Sequence, residues 1–151
     1  GWFRDSQRRL LSEVPYSGMA VSYDYGHPSD VHPKNKKPIG ERLARWALNQ
    51  TYNKQNITPS GPLFRSVLFA EGAAFVSFDY AKGLHNKPIR GFELSDGNGL
   101  FYPATAKIVG DKVKVSCEQV RIPKVVRYAW SPMTNANLVN EEGLPTSTFV
   151  Y

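Results

Sequence analysis

Lys112-Val113-Lys114-Val115-Ser116-Cys117 alternates polar and apolar side chains without a fault, and a period of two marks a strand with one face in a core and the other in water. The pattern spreads in both directions. Ala74, Val76, Phe78 and Tyr80 share one face of an earlier run, and Val126, Tyr128 and Trp130 point inward around Arg127 in a later one. Glu71-Gly72, Asp96-Gly97-Asn98-Gly99 and Gly110-Asp111 stand between such runs as turn chemistry. Six or seven short strands with tight connections predict an antiparallel β-sandwich over residues 59–151. On this reading Cys117 faces inward as an inert core thiol.

Upstream the period changes. Arg4 to Glu13, with Leu10 and Leu11 behind Gln7, Arg8 and Arg9, reads as a short helix that stops before Pro15. Gly18-Met19-Ala20-Val21-Ser22-Tyr23-Asp24 reads as a largely buried strand of a parallel sheet. Gly26 to Asn35 is loop chemistry, and Ile39, Leu43, Trp46 and Ala47 predict a helix from about Lys36 to Tyr52, capped by Asn35, with Pro38 tolerated in its first turn. Helix, strand, loop and helix look like the last unit of a doubly wound sheet. One strand and two helices cannot bury a sheet, so residues 1–58 are expected to be an incomplete α/β domain with exposed strand edges that self-associate or pair with an upstream segment. Gln55 to Gly61, with Pro59 and Gly61, reads as the linker. The fold class expected is α+β.

Composition limits the functions available. The 151 residues carry 19 Lys+Arg against 13 Asp+Glu, with 41% hydrophobic residues, enough for an ordinary core. The net charge of +6 is spread along the chain, and only Lys34, Lys36 and Lys37 cluster. That is too little basic surface for nucleic acid. No apolar run reaches the ~18–20 residues of a membrane span, so no membrane partner is expected. One cysteine excludes an internal disulfide and any zinc site built on paired cysteines, and no cofactor is expected.

Chemistry concentrates in Gly26-His27-Pro28-Ser29-Asp30-Val31-His32-Pro33-Lys34-Asn35-Lys36. It follows an apolar run and precedes a helix, where open α/β sheets gather their ligands. A histidine held there can act as general base near neutral pH, with Asp30 close enough in sequence to orient His32. On spacing alone His32 is also readable as a solvated loop residue. His27, Asp30 and His32 match no metal-ligand spacing with a mechanism. His85 reads as a solvated loop residue and Glu141-Glu142 as a surface turn without partners. No Gly-x-Ser occurs in the chain, so either His32 is not catalytic or its serine lies upstream of Gly1.

Several blocks together resemble the C-terminal portion of sialate O-acetylesterases, a branch of the SGNH (GDSL-like) hydrolases. They are Met19-Ala20-Val21, Asp30-Val31-His32-Pro33-Lys34-Asn35-Lys36, Gly40 to Ala47, Ser60-Gly61-Pro62-Leu63, Val76-Ser77-Phe78, Gly91-Phe92-Glu93, Val126-Arg127-Tyr128-Ala129-Trp130, Asn137-Leu138 and Glu142-Gly143-Leu144-Pro145. The resemblance implies that residues 1–58 are the C-terminal part of an SGNH-type α/β domain and residues 59–151 an accessory β-sandwich. It implies hydrolysis of acetyl esters on a sialic-acid-type sugar in a secreted or periplasmic protein, with His32 as base to a serine in an upstream hydrolase segment. The SGNH pattern has an Asp three residues before that histidine; here Ser29 stands there and Asp30 follows, so the orienting group stays open. An acetylxylan or other polysaccharide acetylesterase, or a non-catalytic carbohydrate-binding β-module, is the alternative. Phe75, Phe92, Tyr128 and Trp130 could form a sugar platform, but their alternation favours packing in the core.

Overall fold

The computed structural model describes residues 1–151. Eight strands form two antiparallel four-stranded sheets. The first holds β1 (Leu63–Ala70), β2 (Ala73–Asp79), β6 (Lys112–Ser116) and β5 (Thr105–Val109) in the order β1-β2-β6-β5. The second holds β4 (Tyr102–Pro103), β3 (Phe92–Ser95), β7 (Val125–Tyr128) and β8 (Phe149–Val150) in the order β4-β3-β7-β8. Glu71 and Gly72, both at positive φ (52° and 68°), turn β1 into β2, the backbone shape that matches strand twist in a two-residue hairpin.

The alternation read from the sequence builds the core. Val113 and Val115 of β6 and Ala74, Val76 and Phe78 of β2 pack with Phe92, Leu94, Val126, Tyr128, Leu138 and Phe149. Phe149 stacks on Phe64 with ring centroids 4.6 Å apart, and Phe92 lies against Tyr128 at the same separation. Each such side chain contributes roughly 1.5–3 kcal/mol by leaving water, so this cluster carries the fold. Residues 1–58 have no equivalent, since only Asp5 and Trp46 are buried there.

The N-terminal residues lie on the sandwich mainly through polar contacts, with Trp2 edge-on to Trp130 (5.0 Å) and Trp46 edge-on to Tyr80 (5.9 Å). Helix α1 (Trp2–Glu13) buries Asp5, which accepts from Arg8 Nε and Nη2 (2.9 and 2.7 Å) and from Arg9 Nε (2.8 Å). Arg4 donates to Thr148 Oγ1 (2.9 Å) and to the carbonyls of Ala129 (2.6 Å) and Ser131 (2.7 Å). The polar stripe therefore faces the protein, while Phe3 (75% exposed) and Leu10 (48%) face outward with Val14. This reverses the usual orientation of an amphipathic helix.

Several expectations need correction. Gly18 to Ser22 form no strand, and Tyr23–Tyr25 make one tight helical turn. A strand exists only beside another strand, and none lies alongside. The carbonyls of Met19 and Val21 instead accept from Trp46 Nε1 and Arg42 Nη1. Trp130 does not continue the inward face of β7, because Ala129 at φ 52° ends the strand and leaves Trp130 half-buried. Cys117 lies just past β6 and reaches the core only in part, half-buried against it with Sγ donating to Gln119 Oε1 at 2.9 Å. Glu141 and Glu142 are paired, to Lys82 (2.8 Å) and Arg45 (2.7 Å). Helix α2 (Lys37–Trp46), with Pro38 in its first turn, runs on through a wider turn to Thr51. No side chain caps its start. The connector into β1 is packed, with residues 59–63 buried or nearly so.

Candidate active-site loop and the sandwich clefts

Helix α2 positions the histidine loop. Arg42 holds Asp24 through two bonds (2.7 and 2.6 Å) and lies over the Tyr25 ring, while Trp46 rests against Gly18. Tyr23 ties the same segment to the sandwich by donating to the Thr146 carbonyl at 2.8 Å. Burial pushes the Tyr23 phenol well above its ordinary range, with the nearby Tyr128 adding to the shift, and burial pushes Tyr128 up to about 12. These hydroxyls stay protonated and neutral, as a buried junction requires.

From this anchor residues 26–36 project outward. Asp30 Oδ1 accepts the backbone N–H of His32 at 2.8 Å and stands 3.6 Å from His32 Nδ1. The loop thus folds the carboxylate back toward the imidazole, and the His32 side chain is 82% exposed. Ser29 belongs to the other histidine: its N–H and hydroxyl lie 3.3 and 3.4 Å from His27 Nδ1. Asp30 is the carboxylate that lies beside His32. Lys36 Nζ closes the loop on the Pro33 carbonyl at 3.0 Å. His85 lies elsewhere, with Nδ1 2.9 Å from the Gly83 carbonyl. No cluster of three or more His, Cys, Asp or Glu side chains is assembled in the chain.

Two roomy clefts lie on the sandwich, away from this loop. One of about 600 Å³ covers the outer face of β5 and β6, where Lys107 and Lys114 are cross-strand partners. The other, about 530 Å³, lies between the start of β3 and the segment after Trp130. Nothing in the sequence marks the second cleft. Its wall depends on the chain turning at Ala129, and an alanine at positive φ leaves no signature in composition or period.

No family model matches the chain, and no curated protein matches it. Among solved structures it is similar to a carbohydrate acetylesterase from Xanthomonas citri, with 38% sequence identity and a TM-score of 0.89. The match covers 97% of this chain and 34% of that one, so the chain spans about a third of that enzyme's length. The likeness relates the chain to carbohydrate esterases.

Proposed function

We propose that this chain is the C-terminal part of a carbohydrate O-acetylesterase of SGNH type, exported from the cell, with His32 as its catalytic base. The observation that carries the reading is the similarity over nearly the whole chain, at 38% identity, to a carbohydrate acetylesterase of which it spans 34%. The loop geometry is compatible with it. His32 and Asp30 are held on a short proline-bounded turn, and the ring is open to an approaching hydroxyl.

In the proposed reaction a serine from a segment outside residues 1–151 attacks the acetyl carbonyl, and His32 takes its proton. Asp30 keeps the ring oriented and stabilises the imidazolium that forms. The sugar hydroxyl leaves with that proton, giving an acetyl-serine, and the same imidazole then activates water to release acetate. Oxyanion donors also come from outside this chain. The sugar is of sialic-acid type in this reading. Acetylated xylan is the competing substrate, since a base and its orienting carboxylate act on the acetyl group and do not select the sugar ring that bears it.

Two measurements test the proposal. The 151-residue chain is expected to release no acetate from acetylated sialic acid or acetylxylan. In the longer protein His32→Ala is expected to lower turnover by about 10³ to 10⁶-fold, as when the base of a serine hydrolase is removed. Unchanged turnover in that variant, or hydrolysis by the 151-residue chain alone, would overturn the assignment.

A further inference from the structure

We infer that the cleft between β3 and the segment following Trp130 is a binding groove for a neutral oligosaccharide chain, distinct from the histidine loop. The ligand class rests on the proposed carbohydrate-esterase function. The location and character of the groove rest on the side chains that line it.

The groove, about 530 Å³, is of the size that holds small ligands, and it is preformed. Gly91, at φ +98°, lets the chain after Trp130 come close: a Cβ there would lie 2.6 Å from that of Ala136. Asn137 ties the opposite side, accepting from the Arg90 N–H and donating to the Pro88 carbonyl, each at 2.9 Å. Arg4 holds the Ser131 carbonyl at 2.7 Å. Both walls are thereby fixed from outside the cleft.

The lining pairs flat apolar surface with fixed polar groups. Trp130 is held from behind by the Gly1 backbone and the Trp2 ring, which meets it edge to face at 5.0 Å. Glu93 forms a two-point ion pair with Arg127 (2.8 and 3.1 Å). That guanidinium lies 3.7 Å from the centre of the Phe101 ring and 5.6 Å from that of Trp130. Arg90 and Asn135 stand at the mouth, Arg90 exposed. A sugar ring offers an apolar C–H face to an aromatic wall and hydroxyls to carboxylate, guanidinium and amide groups. Glu93 neutralises Arg127 and leaves Arg90 as the one unpaired cation of the lining, a single charge that can donate to sugar hydroxyls, and an acidic sugar probe tells that role from selection of a carboxylate.

Titration calorimetry of the 151-residue chain with xylo- and cello-oligosaccharides, and with sialyllactose as an acidic probe, tests this. Binding of a neutral oligosaccharide is expected, nearly unchanged between low and high salt, and weakened about tenfold or more in Trp130→Leu and in Arg90→Ala. Arg90 is exposed, so its variant separates lost contact from lost folding. Three results would overturn the inference: no binding of neutral oligosaccharide at millimolar concentration, binding that both variants leave intact, or binding of sialyllactose alone with strong salt dependence. Acetate release by the longer protein from a small soluble ester reports on His32 and not on this groove, so the two readings fail separately.

Discussion

Asn140 ties the connector before β1 to the sandwich, and replacing it with alanine should be among the most damaging changes outside the hydrophobic core. The residue is 1% exposed. Its Nδ2 donates to the carbonyls of Ser60 and Tyr80, each at 3.0 Å, and its Oδ1 accepts from the Leu144 N–H at 3.1 Å. Each bond is worth about 1 kcal/mol, and leaving the buried Ser60 carbonyl without a partner adds about 1 kcal/mol more. The sum, roughly 3–4 kcal/mol, is a large part of the ~5–15 kcal/mol that holds a domain together. At ~2–4 °C per kcal/mol for a chain of this size, the melting temperature should fall by about 6–16 °C. Asn140→Asp supplies the control. It keeps the acceptor but turns a carboxylate oxygen toward two carbonyls, so it should be no more stable than the alanine variant near neutral pH and should recover as the carboxylate is protonated in acid. Calorimetric melts of the three proteins decide it. A loss below about 1 kcal/mol in Asn140→Ala would refute the reasoning that this side chain locks the connector to the sandwich.

Alkaline pH should destabilise the protein through Tyr128. Its folded pKa of about 12 lies above the ordinary ~10, so this contribution is complete below pH ~10 and is lost as pH rises through ~12, for a total of about 3 kcal/mol. Tyr23, raised further, acts in the same direction. Urea midpoints that stay level across this range would contradict the assignment. Gly61→Ala should destabilise by about 1–3 kcal/mol, because the added methyl runs into the backbone of Leu144 and Pro145. Gly40→Ala, in open space on α2, should instead stabilise by about 0.5–1 kcal/mol. Thermal melts showing the same sign for both glycines would contradict the packing described.

The sandwich was legible because alternation is a local code: Lys112 to Ser116 states which residues face the core without reference to any other part of the chain. Helix α2 was legible for the same reason. Gly18 to Asp24 shows where such a code stops, for its residues are apolar enough for a sheet but a strand requires a neighbour that the segment itself does not specify. The ion pairs were hidden by distance along the chain, since Arg45 and Glu142 stand 97 residues apart. At the histidine loop the residue types and the turn were readable. That the Asp30 carboxylate turns back to within 3.6 Å of the His32 ring came only from the fold, because the direction of a side chain in a proline-bounded loop depends on every torsion around it.

The outward stripe of α1 determines how the 151-residue protein behaves in a tube. Phe3, Leu10 and Val14, with Trp2 beside them at 73% exposure, make an oily strip that water solvates poorly. Association on concentration that mild detergent reverses is the behaviour expected of correctly folded molecules carrying such a strip.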